Sequence, residues 1–456
     1  MTRRTSAARI PGFARRRVVL TPGRVIALAF GIVLALGTAL LSLPVATQGR
    51  PATFMEALFT ATSAVCVTGH IIVDTPTFWS PFGQVVILVL IQIGGFGVMS
   101  LATLLGLLVA RRLGLRTRLT AVSETHTVAV GDVRRVLLGV AVIALVTEAV
   151  VAMMLTGRFW LGYGESLGHS VWLGVFHAVS SFNNAGFALF SDSLMSFATD
   201  PLICLPICAA IILGGLGFPV IMELWRQYRF PRRWTLNTVT VLVGSAALLM
   251  GGTIVLTALE WSNPATLGAM DPAGRLLAGF TMSVMPRTAG FNSIDVSQML
   301  PESWFVTDIL MFIGGGPAGT AGGVKITTFA VLLFIVLAEL RGDTAVNMFG
   351  KRLPRSTHRE ALTVALLSVA LVVGSTLAIM VVSPFGFDRV FFEVISAFAT
   401  VGLSTGITAS LPPVAQLVLI LLMFIGRLGP VLLGAALALT REKRMYELPK
   451  ERPIIG

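Results

Sequence analysis

Four short turns carry the residues whose types and spacing could share one chemistry. They are Val65-Cys66-Val67-Thr68-Gly69, Asn183-Asn184-Ala185-Gly186, Arg287-Thr288-Ala289-Gly290 and Ala399-Thr400-Val401-Gly402, with glycines a little over a hundred residues apart. A cation leaving water needs oxygen ligands, and main-chain carbonyls supply them without a fixed charge that would trap it. Glycine permits the unusual dihedrals that keep carbonyls on one axis, and it lets backbones approach closely. The expected ligands are the carbonyls near Val67-Thr68, Asn184-Ala185, Thr288-Ala289 and Thr400-Val401, beside Gly69, Gly186, Gly290 and Gly402. No Asp or Glu belongs to this set, which argues against a divalent-cation site. The bland alternative is four tight turns that merely pack.

Each turn closes a short amphipathic run that follows a helix-start residue: Thr53, Ser170, Asp271 and Asp388. Thr53 has Glu56 at capping-box spacing, and Asp271 is followed by Pro272 at the first helical position. A half-length apolar helix cannot cross a bilayer, so each is expected to dip in and return as an extended segment. Its negative C-terminal dipole end would then favour a cation.

A second signal runs in phase about 25 residues downstream: Gly94-Gly95, Gly214-Gly215, Gly314-Gly315-Gly316 and Gly426-Arg427. Glycine is common in membrane helices, but that alone leaves the common phase unexplained. Both patterns fit a module written four times, with a period too long for a solenoid.

Composition agrees. Hydrophobic residues make up 55% of the chain and charged residues 12%, which excludes an ordinary soluble globular protein. The fold class expected is an all-α polytopic membrane protein of four span–re-entrant helix–span repeats, with eight transmembrane helices around a pseudo-fourfold pore. The division is an arm 1–24, repeat one 25–110, a linker 111–135, repeat two 136–225, a linker 226–235, repeat three 236–340, a linker 341–360, repeat four 361–440 and a tail 441–456. The net charge of +12 is sorted by side: Lys and Arg crowd alternate loops, which puts both termini in the cytoplasm. It is therefore no sign of nucleic-acid binding. Cys66, Cys204 and Cys208 supply no disulfide framework.

The stretches 64–69, 181–187 and 285–292 resemble the Trk/Ktr/HKT superfamily of cation transporters, and most of all the membrane subunits of Ktr-type potassium uptake systems. The resemblance covers essentially the span 21–440. It implies a potassium-conducting pore in a bacterial plasma membrane, a homodimer, and a cytoplasmic ring of nucleotide-binding regulatory subunits. The chain is expected to bind no cofactor, and nucleotide only through that separate partner. The same filter would also serve a sodium-coupled potassium symporter, and an accessory membrane subunit of an ion-pumping complex is a third reading.

A gate is expected in Gly314-Gly315-Gly316-Pro317-Ala318-Gly319-Thr320-Ala321-Gly322-Gly323, which cannot stay helical. The resemblance implies that this loop obstructs the pore just below the filter. No strand precedes it, so a dinucleotide-binding glycine motif is excluded. Arg427 replaces a glycine found in the other repeats, and a charge within a span is expensive. Its guanidinium is expected to donate to carbonyls around Gly316–Thr320 and hold the loop shut. Lys325 either assists or anchors the lower half-helix. Glu148 is open between a proton-coupling carboxylate and a structural hydrogen bond, and His70 between tuning the mouth and simple exposure. His126, His169, His177 and His358 lack metal-ligand spacing, and no catalytic triad or HExxH motif is present, so the chain does not read as an enzyme.

Overall fold

The computed structural model describes residues 22–112 and 132–439. Most of the arm 1–24, the middle of the linker 111–135, the tail 441–456 and His126 fall outside them. The helices come in four successive groups. Repeat one has α1 (Pro22–Leu41), a short α2 (Phe54–Val65) and α3 (Pro81–Arg112). Repeat two has α4 (Asp132–Tyr163), α5 (Leu167–Phe182) and α6 (Pro201–Leu216), continued after a bend by α7 (Phe218–Gln227). Repeat three has α8 (Leu236–Glu260), α9 (Pro272–Val284) and a broken last element, α10 (Pro301–Phe312) and α11 (Ile326–Leu340). Repeat four has α12 (Arg355–Val382), α13 (Phe387–Ala399) and α14 (Pro413–Leu439).

Among the described residues, four helices are long and apolar enough to cross a membrane: Pro81–Leu101 of α3, Leu137–Tyr163 of α4, α8 and α12. The bent pair α6 and α7 makes a fifth if it is taken as one span. Outward-facing side chains such as Leu366, Leu377 and Val381 of α12 are exposed. Apolar surface of that kind suits lipid better than water.

The packing is cyclic. The first helix of every repeat lies on its own short helix: α1 on α2, α4 on α5, α8 on α9, α12 on α13. The last helix of every repeat also packs on the short helix of the next, α3 on α5, α6 on α9 and α10 on α13. The set closes with α14 on α2, so the fourth repeat meets the first. One chain thus builds a pseudo-fourfold bundle.

Local chemistry explains the short helices. Thr53 caps α2 with the reciprocal Glu56 capping box, and Asp271 accepts from Ala273 and Gly274 N–H ahead of Pro272. Two starts differ from expectation. Ser166, one turn before Ser170, caps α5 by accepting from His169 N–H, and Ser170 is buried inside the helix. Gly386 precedes α13, leaving Asp388 in the first turn, where its charge favours the dipole.

The last helix of repeat two bends by 97°. Gly217 has φ +90, and Pro219 has no N–H to offer the Gly215 carbonyl, so the ladder is interrupted here. The linker 341–360 carries a two-residue hairpin, β1 (Asn347–Met348) with β2 (Lys351–Arg352).

Candidate functional site

At each turn the chain leaves its short helix and alternates its handedness. Val67, Asn184, Thr288 and Thr400 are left-handed, with φ of +55, +59, +69 and +52. The next residue is not, and the glycine is positive again, at φ +89, +69, +76 and +96. Such alternation swings successive carbonyls to one side of the strand. A non-glycine residue in this region costs roughly 1–2 kcal/mol, and four at equivalent positions mark a strained, shared design.

The four glycines form a closed ring. A Cβ on Gly69 would lie 2.5 Å from the carbonyl oxygen of Ala185, and one on Gly186 2.7 Å from that of Ala289. On Gly290 and Gly402 it would collide with the oxygens of Val401 and Thr68, which returns the sequence of neighbours to the first repeat. On one side the glycines floor a cavity of about 220 Å³ whose lining includes Asp74, Ser191, Asn292 and Asp295.

Each turn is held from behind. The main-chain oxygens of Ser63, Ser180 and Ser396 accept from Thr68 N at 2.8 Å, Ala185 N at 2.7 Å and Val401 N at 2.8 Å. The hydroxyls of Ser63 and Ser396 also accept from Gly69 N at 3.0 Å and Gly402 N at 3.1 Å. In repeat three Val284 stands at that position, and Ala289 N and Gly290 N turn to the carbonyl of Met285 at 3.0 and 3.4 Å.

One helical step further back, Thr60, His177, Thr281 and Glu393 occupy a common position, all buried. His177 reaches the segment after its turn, accepting at Nε2 from Leu189 N at 3.3 Å. Glu393 binds the corresponding stretch more fully. It accepts from Thr405 N at 3.0 Å, from Thr408 Oγ1 at 2.9 Å and, at short range, from Ser404 Oγ.

The downstream glycines also have a geometric reason. Gly94, Gly214 and Gly426 sit where the last helix passes the C-terminal end of the short helix. A Cβ there would collide with the carbonyl oxygens of Val65, Phe182 and Phe398. In repeat three Gly314 meets Gly322 of its own loop instead.

That loop, 314–323, fills the side of the ring away from the cavity. Its base is closed by Gly314 N donating to Val324 O at 2.8 Å and Ile326 N to Gly315 O at 3.1 Å. It seats on the end of α6: Gly316 N donates to Gly215 O at 2.7 Å, Thr320 N to Gly214 O at 3.1 Å, and Phe218 N to Ala318 O at 3.2 Å. Its tip touches the turns, with Thr320 Oγ1 donating to Asn184 Oδ1 at 3.0 Å. Gly322 lies against Thr400, with no room for a Cβ.

Three cationic side chains surround the loop. Arg427, buried on α14, donates from Nη1 to the Thr320 carbonyl. Lys325 Nζ donates to the carbonyls of Ala321 at 2.5 Å and Gly322 at 3.4 Å. Arg287, also buried, donates from Nη2 to Ser245 Oγ at 3.2 Å and to Gly314 O at 3.5 Å. It lines a cavity of about 20 Å³, room for a single water. Among the described residues none of the three meets a carboxylate at ion-pair distance. The positive charge beside the loop is thus met by main-chain oxygens and the Ser245 hydroxyl, with no carboxylate to neutralise it.

The remaining sequence candidates fall in different places. Glu148 lies behind the second turn, accepting from Asn183 Nδ2 at 3.1 Å and Gln92 Nε2 at 3.3 Å. Of the two readings open for it, the geometry is that of a structural bond between helices. His70 is not exposed: it is fully buried, with Nδ1 3.6 Å from Glu393 Oε2. It sits at the seam where repeat one meets Glu393 of repeat four. Cys204 donates to Phe197 O at 3.2 Å, and all three thiols are buried and free. His169 is exposed and His358 half-buried. Arg287 and Glu393 were missed as functional candidates; comparing the four copies position by position would have found both.

Fold and site together define a polytopic membrane protein of four cyclically packed repeats meeting at a ring of glycine turns. The chain belongs to the TrkH family of cation transport proteins, whose model matches residues 23–445. It is 37% identical over 428 residues to the Ktr system potassium uptake protein B of Bacillus subtilis, covering 94% of this chain and 95% of that protein. It is 38% identical over 435 residues to the protein of the same name from Vibrio alginolyticus, covering 95% and 94%. The potassium/sodium uptake protein NtpJ of Enterococcus hirae is 36% identical over 449 residues, covering 97% and 99%. The fold matches the crystal structure of the potassium transporter TrkH from Vibrio parahaemolyticus at a TM-score of 0.72 and 16% identity, over 93% of this chain and 86% of that one.

Proposed function

We propose that this chain is the membrane subunit of a potassium uptake system in a bacterial plasma membrane. A dehydrated K⁺ passes through the carbonyl oxygens of the four glycine turns, from Val67-Thr68-Gly69 to Thr400-Val401-Gly402. The glycine loop 314–323, latched by Arg427 with Lys325, is its gate. One observation carries the reading: the ring closes, each glycine meeting the main-chain oxygen of the next repeat. Oxygens without fixed charge suit a monovalent ion that must leave as readily as it enters. The cavity beside Asp74 and Asp295 serves as the outer mouth, where acidic groups concentrate cations. The loop and the basic segments then lie on the cytoplasmic side with both termini.

The chain works as a homodimer under a ring of nucleotide-binding subunits docked on its basic loops, and needs no cofactor or catalytic chemistry of its own. The test is rubidium or potassium flux into proteoliposomes holding the purified chain. Flux that prefers K⁺ to Na⁺ is expected. No flux from the unaided chain would favour an accessory subunit of a larger complex. The potassium/sodium name of the Enterococcus relative favours one second reading, sodium-coupled symport. Reversal potentials that follow a fixed coupling ratio would support it over a channel.

A further inference from the structure

The bend after α6 places an unusual surface on the face opposite the outer cavity. Because α7 turns 97° from a helix running along the bundle, it lies across the end of the bundle. Its level is fixed by Glu223, whose Oε1 accepts from Thr235 N at 2.8 Å and Oε2 from Thr235 Oγ1 at 2.7 Å. Those residues open α8, one of the apolar spans, so α7 lies where that span enters the apolar layer. Phe218 and Val220 face inward, whereas Trp225, Tyr228 and Phe230 are 77%, 60% and 56% exposed. Arg226, Arg229, Arg232 and Arg233 stand exposed among them. Arg229 lies over the Tyr228 ring and Arg233 over Phe230, and among the described residues none of the four meets a carboxylate. An in-plane helix presenting aromatic rings and unpaired guanidiniums has the makeup of a segment seated in an anionic headgroup layer.

The same bend seats the loop. In an unbroken helix Phe218 N would donate to Gly214 O. Here Phe218 N donates to Ala318 O, and Gly214 O accepts from Thr320 N. Pro219 has no N–H to offer Gly215 O, which takes Gly316 N instead. Straightening α6 into α7 would re-pair Phe218 with Gly214 and release two of the loop's hydrogen bonds. The bent and straight forms are therefore alternatives that share one donor and one acceptor.

We propose that Trp225–Arg233 is a docking surface for anionic phospholipid headgroups, and that occupying it holds α7 in plane and keeps the glycine loop seated. The site is assigned to lipid because the exposed aromatics accompany the charges at the level of the apolar layer. The consequence for the loop rests on the transport reading given above. A ligand that binds the bent form favours it over the alternative.

Full-length chain is purified native, with all four arginines changed to glutamine (R226Q/R229Q/R232Q/R233Q), and with all four changed to lysine. Phosphatidylglycerol retained by each is measured by native mass spectrometry. Each neutralised arginine is expected to weaken retention by about 5-fold, and the lysine form to keep it. Cation flux is then followed in phosphatidylcholine vesicles with rising phosphatidylglycerol. Native flux should fall, and that of the glutamine form should stay level. Equal retention by native and glutamine forms overturns the site, as does a glutamine form that keeps its lipid but loses capture by a nucleotide-binding partner ring. Retention lost with an unchanged flux response overturns the link to the loop. Retention needs no transport, so a chain that carries no ion would refute the transport reading while leaving the lipid result standing.

Discussion

Glu393 Oε2 stands 3.6 Å from Nδ1 of His70, where the fourth repeat closes on the first. Neither residue touches lipid or solvent, since both are fully buried. In a true tetramer this contact would be one of four equivalent ones. In a single chain it is the junction between the two ends of the bundle, and it is where the most polar member of the Thr60, His177, Thr281, Glu393 set has been placed.

Glu393 holds the stretch 404–408 through Ser404, Thr405 and Thr408. Replacing it with alanine takes the acceptor from buried Thr405 and Thr408 and from half-buried Ser404, at about 1–3 kcal/mol for each donor left with no other partner or water. Glutamine keeps one oxygen for Ser404 and Thr405, and its amide can donate to Thr408. We expect E393A to lower the melting temperature clearly and E393Q to stay near the native value. Equal loss in both would show that the charge, not the acceptor geometry, is what the bundle requires.

Arg427→Ala removes the donor to Thr320 O. A hydrogen bond from a charged group contributes about 1.5–3 kcal/mol, so if the loop has two positions the seated one loses about 10- to 150-fold in population. Basal potassium flux in proteoliposomes lacking any partner should rise by up to that factor. Unchanged flux would leave Arg427 a structural residue only.

Much of this was legible beforehand because the module is repeated. Four copies of one turn and four phased glycines specify the bundle before any helix is placed. Gly94, Gly214 and Gly426 were visible for the reason the structure supplies, a short helix end pressed on a long one. Other features have no local signature. Left-handed Val67 and Thr400 contradict the preference of β-branched residues, so only the assembled ring reveals them. The bend at Gly217 depends on a loop a hundred residues away in sequence, and the burial of His70 on a contact with the other end of the chain. Ser170 has the residue type of a cap, but Ser166 offers the same chemistry one turn earlier and takes the role.

At the exposed start of α2, Arg50 grips Glu56 with two bonds, Nη2 to Oε1 at 2.5 Å and Nη1 to Oε2 at 2.9 Å. The guanidinium chiefly, with the Thr53 N–H and hydroxyl, lowers the Glu56 carboxyl to about 2. A depressed carboxyl stabilises the folded chain fully above the ordinary carboxylate range and loses that contribution as pH falls toward 2. The melting temperature of R50Q should therefore trail the native value by a constant amount above about pH 4.5, and the gap should close between there and about pH 2. The gap will be small, because Arg50 is mostly in solvent. A gap that widens on acidification would contradict the assignment.

Gly49 and Gly69 allow the ring itself to be tested with an internal control. Both have φ +89, so alanine at either position carries the same kind of backbone strain, about 1–3 kcal/mol. Their surroundings differ. Nothing lies within 4 Å of a Cβ on Gly49, whereas one on Gly69 would stand 2.5 Å from the Ala185 oxygen. That oxygen belongs to a neighbouring turn whose main chain is pinned by Ser180, so it cannot give way cheaply. G49A should lose some thermal stability and keep its potassium flux. G69A should lose more stability, because the clash adds to the same strain, and in addition at least about ten-fold in flux, since a 1.4 kcal/mol change in ion binding at the ring already has that effect. If G69A conducts as well as G49A, the four glycine turns are packing elements and the ion takes another route.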